Sequence, residues 1–161
     1  MYVDYMKTIR ERYLKLGYQP YRWFHAEEDS VPFTPLSKKI EECRVGLLST
    51  SGAYSLGQSA YHYKDDSSLR SIDKNCSIED IRFSHITENY LENPRKDPNC
   101  ILPLGQLLRM EKEGKIGELA DQVFSCMGGI YSQRKVLEDI APDVYSRFRS
   151  QEVDVALLVP M

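Results

Sequence analysis

Apolar residues fall into two rhythms along this chain. Near the N-terminus, Tyr2, Tyr5, Met6, Ile9, Tyr13 and Leu16 recur at helical spacing, with Lys7, Arg10, Glu11 and Lys15 between them. Gly17 is a natural stop, so the spacing predicts a helix over about residues 2–16. The stretch YQPYRWF with Pro32 and Pro35 then predicts an extended arm, because prolines at this density do not build a helix. Tyr18, Tyr21, Trp23 and Phe24 are expected to clip that arm to the body or to a partner chain, and His25 reads as a surface residue. Beyond residue 42 the apolar residues form short continuous runs. CRVGLLST at 43–50 predicts a first core strand followed by the turn STSGAY. Residues 53–78 show no helical period, and IRFSHIT at 81–87 predicts a second strand. ENPRKDPN reads as a loop from its prolines and asparagines.

From Pro103, LGQLLRMEKEG predicts a helix with Leu104, Leu107 and Leu108 facing inward and Gly114 ending it. Residues 122–127 predict a short third strand, turned by Gly128-Gly129. Ser132 can cap a helix with Val136, Leu137 and Ile140 inward, and Pro142 suits the start of a second helical piece carrying Val144, Tyr145 and Phe148. VDVALLVPM at 153–161 is a continuous apolar run, the pattern of a parallel strand buried on both faces. Strands alternating with helices predict one α/β domain with a mostly parallel, doubly wound three-layer sheet of the flavodoxin or Rossmann type. Residues 1–42 would be its helix and arm and 43–161 its core.

Composition narrows the function. The 161 residues carry a net charge of −3, with no basic field for nucleic acid and no polybasic membrane patch. No apolar run approaches the ~20 residues of a membrane span, and the N-terminus has no signal-peptide apolar region, which predicts a cytoplasmic protein. The four cysteines, Cys43, Cys76, Cys100 and Cys126, form no CxxC pair and no zinc spacing, so free thiols are expected and no metal.

Ligand sites in open parallel sheets lie beyond the carboxyl ends of the strands. Ser49, Thr50, Ser51 and Gly52 sit there and can present hydroxyls and N–H groups to an anion; a plain turn is the competing reading. Asp66, Ser68 and Arg70 alternate and would share one face of an extended segment. Arg70 could then hold a substrate carboxylate with Asp66 orienting it, or the group could be a surface ion pair. His85 lies near the end of the second strand, with Tyr90 and Asp97 following. Cys126 lies at a turn ahead of a helix, where a thiol pKa can fall; an inert buried cysteine is the alternative.

Several segments together resemble the selenoprotein B subunits of the glycine, sarcosine, betaine and D-proline reductases. They are LGYQPYRW, RVGLLSTSGAY, the D-x-S-x-R of Asp66, Ser68 and Arg70, FSHI with His85, and D-x-N at Asp97 and Asn99. PLGQLLRMEKEGKIGELA, CMGGIYS and VDVALLVP continue the series in order. In that family a selenocysteine or cysteine follows the last strand directly, in a U-x-x-C or C-x-x-C motif. The resemblance therefore implies that this product stops just before its redox residue, at a selenocysteine codon read as stop, and is inactive alone. It implies no bound cofactor on this chain and reductive C–N cleavage of an amino acid activated on a partner subunit, in several cases through a pyruvoyl group. It also implies a dithiol or thioredoxin-like reductant and an oligomer. Ser49, Thr50, Asp66, Ser68, Arg70 and His85 would line the substrate pocket, with Cys126 only a candidate second thiol. Two other readings are a non-catalytic binding or assembly subunit on the same fold, and a cysteine-dependent racemase or lyase using Cys126.

Overall fold

The computed structural model describes residues 4–20, 34–63 and 65–161. The chain divides into two units, Met1–Phe33 and Thr34–Met161. In the first, helix α1 spans Tyr5–Lys15, started by Asp4, whose carboxylate accepts the Lys7 N–H at 3.1 Å. Gly17, at φ +77°, ends it. None of its residues is buried within its own unit. The expected arm residues Tyr21, Trp23, Phe24 and His25 lie outside the described residues.

The second unit is α/β. Its strands are β1 (Arg44–Ser49), β2 (Ala53–Ser55), β3 (Arg70–Asp73) and β4 (Ile81–Phe83). Helices α2 (Glu92–Lys96) and α3 (Leu104–Lys112) follow. Next come β5 (Glu118–Leu119), β6 (Gln122–Ser125), α4 (Gln133–Lys135), α5 (Ala141–Ser150) and β7 (Val155–Val159). Strand β1 is the spine of the main sheet. It pairs in parallel with β7 on one side, and with β5 and then β6 on the other.

The sheet is mixed: β1 pairs in parallel with β5, β6 and β7, as expected, but β3 runs antiparallel to β6. The reason lies in the connection. A parallel return needs a crossover helix, and residues 56–69 contain none among those described. Strands β2 and β4 form a separate antiparallel pair, Ala53↔Phe83 to Ser55↔Ile81.

Strand alternation sends side chains to two apolar clusters on opposite faces. Val45, Leu47, Ile72, Leu119 and Val123 pack with Leu91, Leu102, Leu104, Leu107 and Ile116. Phe124 meets Ile140, Val144 and Phe148, with Leu48 against them. The Phe124 and Phe148 ring centroids are 5.4 Å apart. Burial of each large apolar side chain contributes roughly 1.5–3 kcal/mol. Among the described residues no helix is long and apolar enough to cross a membrane.

Other expectations need correction. The segment expected as a loop at 92–99 holds α2, because Pro94 falls in the first turn, where its missing N–H removes no helical bond. The helix from Ser132 runs on through a π turn, Val136–Ile140, into α5, with Pro142 near the start of α5. A widened turn accommodates the donor that proline lacks. Val136, Leu137 and Tyr145, expected inward, are exposed. Strand β7 is not buried on both faces: Leu157 is 40% and Leu158 63% exposed. The apolar run correctly marks a strand, but a run of this kind does not say whether the same chain covers both sides of it.

Gly52 joins β1 to β2 at φ +65° and takes the Cys126 carbonyl as acceptor at 2.9 Å. A Cβ there would collide with the Ser84 backbone carbonyl. The Gly52→Ala protein should therefore lose roughly 3 kcal/mol or more of stability in urea unfolding, from strain and overpacking together. A loss below about 1 kcal/mol would show that this turn is free to move.

Candidate functional site at the carboxyl edge of the sheet

The carboxyl ends of β1, β6 and β7 reach one edge, since all three are parallel. Ser49 is in register with Ser125 of β6 and with Val159 of β7, and Arg70 of β3 is in register with Ser125. Beyond this row the backbone is stitched together. The Thr50 N–H donates to the Val159 carbonyl at 3.0 Å, and the Met161 N–H donates to Thr50 Oγ1 at 2.8 Å. The Cys126 N–H donates to the Ser49 carbonyl at 3.0 Å, and the Ser84 N–H to the Gly52 carbonyl at 3.0 Å. This last bond carries the end of β4, and with it His85, to the edge.

Thr50, His85, Gly128 and Met161 meet at one point. An ideal Cβ on Gly128 would stand 2.8 Å from the Thr50 carbonyl oxygen, and 2.9 Å from both His85 Nε2 and the Met161 carbonyl oxygen. Only a residue without a side chain lets these groups close in. His85 is buried, its Nδ1 accepts the Thr87 N–H at 3.1 Å, and its Nε2 has no hydrogen-bond partner among the described residues. Burial lowers its pKa, against the opposing charge of Glu88.

Asp66, Ser68 and Arg70 also come together, but on one another. The Asp66 carboxylate accepts the Ser68 N–H at 3.0 Å, the Ser68 hydroxyl and the His62 N–H at 2.8 Å. Arg70 Nη1 donates to Ser68 Oγ at 2.7 Å, and Arg70 Nε donates to the Ser59 carbonyl at 2.9 Å. The Arg70 guanidinium lies 4.3 Å over the Tyr61 ring, and Tyr61 donates its hydroxyl to the Ser125 carbonyl at 2.6 Å. Burial raises the Tyr61 pKa, so the phenol keeps the proton it donates. The group thus braces the loop of residues 56–69 against β6. Two strands, β6 and β1, separate Arg70 from β7.

Ser49 is fully buried, with Oγ 2.8 Å from Ser51 Oγ and 2.7 Å from the Ile101 carbonyl oxygen. With one proton each, Ser49 donates to the carbonyl and accepts from Ser51. Cys126 is buried too, and burial pushes its thiol up to about 11, opposite to the activated thiol that its place ahead of a helix could provide. Reasoning from sequence missed Gly128 and Tyr61 as parts of this edge. Gly128-Gly129 read only as a turn, and Tyr61 stood among many tyrosines.

Two measurements follow from this geometry. Burial pulls the Asp66 pKa upward, but the hydrogen bonds from Ser68 and His62 and the Arg70 charge outweigh it and lower the pKa from 3.8. The stabilisation is therefore complete above the unfolded value and is lost as pH falls through the folded one. Acid unfolding of Asp66→Asn should show a shallower fall in stability below about pH 4 than the parent; identical acid limbs would remove Asp66 from the brace. Peptide mapping after brief iodoacetamide treatment at pH 8 should find exposed Cys100 labelled at least about tenfold faster than Cys126, and the reverse order would make Cys126 a reactive thiol.

Against this geometry stand the relatives. The description "Glycine/sarcosine/betaine reductase selenoprotein B" matches residues 24–160. The chain is 29% identical over 126 residues to the D-proline reductase subunit gamma of Acetoanaerobium sticklandii, covering 78% of this chain and 52% of that protein. It thus spans about half the length of this curated relative. No solved structure matches. The match reaches from the arm through β7 and takes in every residue that builds the carboxyl edge except Met161, and the chain belongs to the glycine/sarcosine/betaine reductase selenoprotein B family.

Proposed function

We propose that this chain is a subunit of a reductase of the glycine, betaine, sarcosine or D-proline type, and that its chemistry takes place at the carboxyl edge where β7 ends. The redox group is a selenocysteine or cysteine carried just past β7. The overall reaction replaces a substrate C–N bond with a C–H and an N–H bond while two thiols become a disulfide, so two electrons and two protons pass from dithiol to substrate. The substrate is an amino acid or betaine presented on another reductase subunit; an amine substrate is activated there through a pyruvoyl group, whereas betaine has no N–H to condense with one. A thioredoxin-like or small dithiol restores the thiol pair, and the assembly contains more than one copy of this chain in the cytoplasm.

One observation carries this reading: the end of β7 is tied by the Met161 N–H to Thr50 Oγ1, beside the buried imidazole of His85. A group leaving that strand enters a fixed polar setting rather than free solvent. Cys126 does not supply a competing nucleophile, since its thiol is buried and protonated at neutral pH. That weakens the racemase or lyase alternative, which needs this thiol.

The test pairs binding with turnover. The 161-residue chain should co-purify with other reductase subunits yet show no dithiol-dependent reduction of D-proline, glycine, sarcosine or betaine. Supplying the family's redox motif after Met161 in the same complex should restore turnover. Association with no reductase subunit would sink the proposal, and turnover by the unextended chain would move the chemistry elsewhere. Association without restored turnover would leave the non-catalytic assembly subunit as the correct reading.

A further inference from the structure

His85 is only 8% exposed, and its two ring nitrogens are treated differently. Nδ1 accepts the Thr87 backbone N–H at 3.1 Å. An amide can only donate, so Nδ1 is bare and the neutral ring carries its proton on Nε2. Nε2–H is therefore a donor of fixed direction, buried and without an acceptor among the described residues. Buried donors with no partner are uncommon, and each calls for an explanation.

The surroundings supply one. The space beside Nε2 is kept narrow by Gly128, whose ideal Cβ would lie 2.9 Å from Nε2 and 2.9 Å from the Met161 carbonyl oxygen. That oxygen lies on Met161, two residues beyond the end of β7. The donor thus stands beside the strand's exit, while Thr50 Oγ1 fixes the exit from the other side through the Met161 N–H at 2.8 Å.

We infer that His85 is a positioning residue whose Nε2–H donates a hydrogen bond to the anionic sulfur or selenium carried just past Met161. This rests on the function proposed above. A hydrogen bond from a fixed N–H to a chalcogenide is charge-assisted; it favours the ionised form and holds the atom in place. His85 keeps its own proton throughout. The lowered pKa of the ring, set by burial with Glu88 opposing, is consistent with a neutral donor that takes no part in proton transfer. Thr87 then acts through His85, because its N–H selects the tautomer.

The test appends a single cysteine to the full 161-residue chain directly after Met161 and follows its alkylation by iodoacetamide against pH. The same measurement is made in His85→Leu and His85→Gln. The Leu variant should raise the pKa of the added thiol by about one unit, a roughly tenfold loss of reactivity near neutral pH. The Gln variant keeps an N–H near the position of Nε2 and should stay within about threefold of the parent. Equal titration in all three overturns the inference. If circular dichroism shows that the Leu variant has lost its fold, 15N spectra of the appended chain decide. The His85 ring should show a protonated Nε2 whose shift moves as the added thiol ionises; a protonated Nδ1, or a shift blind to the thiol, overturns the inference. A complex that turns over with a thiol insensitive to His85 would remove this role and leave the proposed function standing. A sensitive thiol in a complex that never turns over would do the opposite.

Discussion

Everything at the candidate site depends on the parallel ladder between β1 and β7. The register runs from Val45↔Val155 to Ser49↔Val159 and is extended one step by the Thr50 N–H on the Val159 carbonyl. Parallel pairing makes the two strands leave the sheet at the same edge. It thereby delivers Met161 to the Thr50 hydroxyl and to the neighbourhood of His85. An antiparallel β7 would send its exit to the opposite edge, where Arg44 meets Glu118 and Asp121 in a cluster of ion pairs. Strand β7 also depends on this one ladder, since β1 is the only strand it pairs with among the described residues. Its side chains at Val155 and Val159 pack on the main cluster, whereas Leu158 faces out.

The two polar groups of the edge do different work. Asp66, Ser68 and Arg70 spend their hydrogen bonds on each other and on the carbonyls of their own loop. Asp66 and Arg70 are linked through the Ser68 hydroxyl, and exposed opposite charges contribute little to stability by themselves, about 0–1 kcal/mol. The consequence is positional. Arg70 stacks on Tyr61, and Tyr61 holds the Ser125 carbonyl, so a long helix-free connection is fastened to β6 next to Cys126. His85 is the reverse case. One ring nitrogen of His85 is committed to its own turn and the other to nothing among the described residues.

Much of the fold was legible because it rests on local rules. The apolar runs at 43–50 and 122–127 mark β1 and β6, Gly17 ends α1, and Leu104 and Leu107 point α3 inward, whereas the start of α1 at Asp4 was not read. What could not be read was set by partners distant in sequence. Strand β3 has only Ile72 fully buried, and its direction is imposed by β6, some fifty residues later. The two-residue β5 exists only because Arg44 and Val45 pair with it. Of the site, residue types were visible and their company was not. Asp66, Ser68 and Arg70 do share a neighbourhood, as alternation implied, but it is a self-satisfied one. Ser49, placed by its position at a strand end, turns out to serve Ile101 and Ser51 inside the sheet. Gly128 could not have been picked out, since only the approach of Thr50, His85 and Met161 gives its missing side chain a meaning.

Cys126 and the exit of β7 differ in what each offers an anion, although they lie on one edge. Both positions end a parallel strand and both lie beside β1. At Cys126 the local N–H groups are already spent, its own on the Ser49 carbonyl and the Gly52 N–H on the Cys126 carbonyl. The thiol is left in an apolar setting that disfavours its charged form, with burial the only cause of its raised pKa. At the β7 exit a buried N–H of fixed direction is still unspent. In a medium of low polarity, a donor already in place needs no reorganisation to meet a new charge, whereas a thiol with no donor would have to recruit one from water. The two positions thus differ in the donors left unspent, and on the function proposed above that difference favours the exit of β7 as the place for a nucleophile.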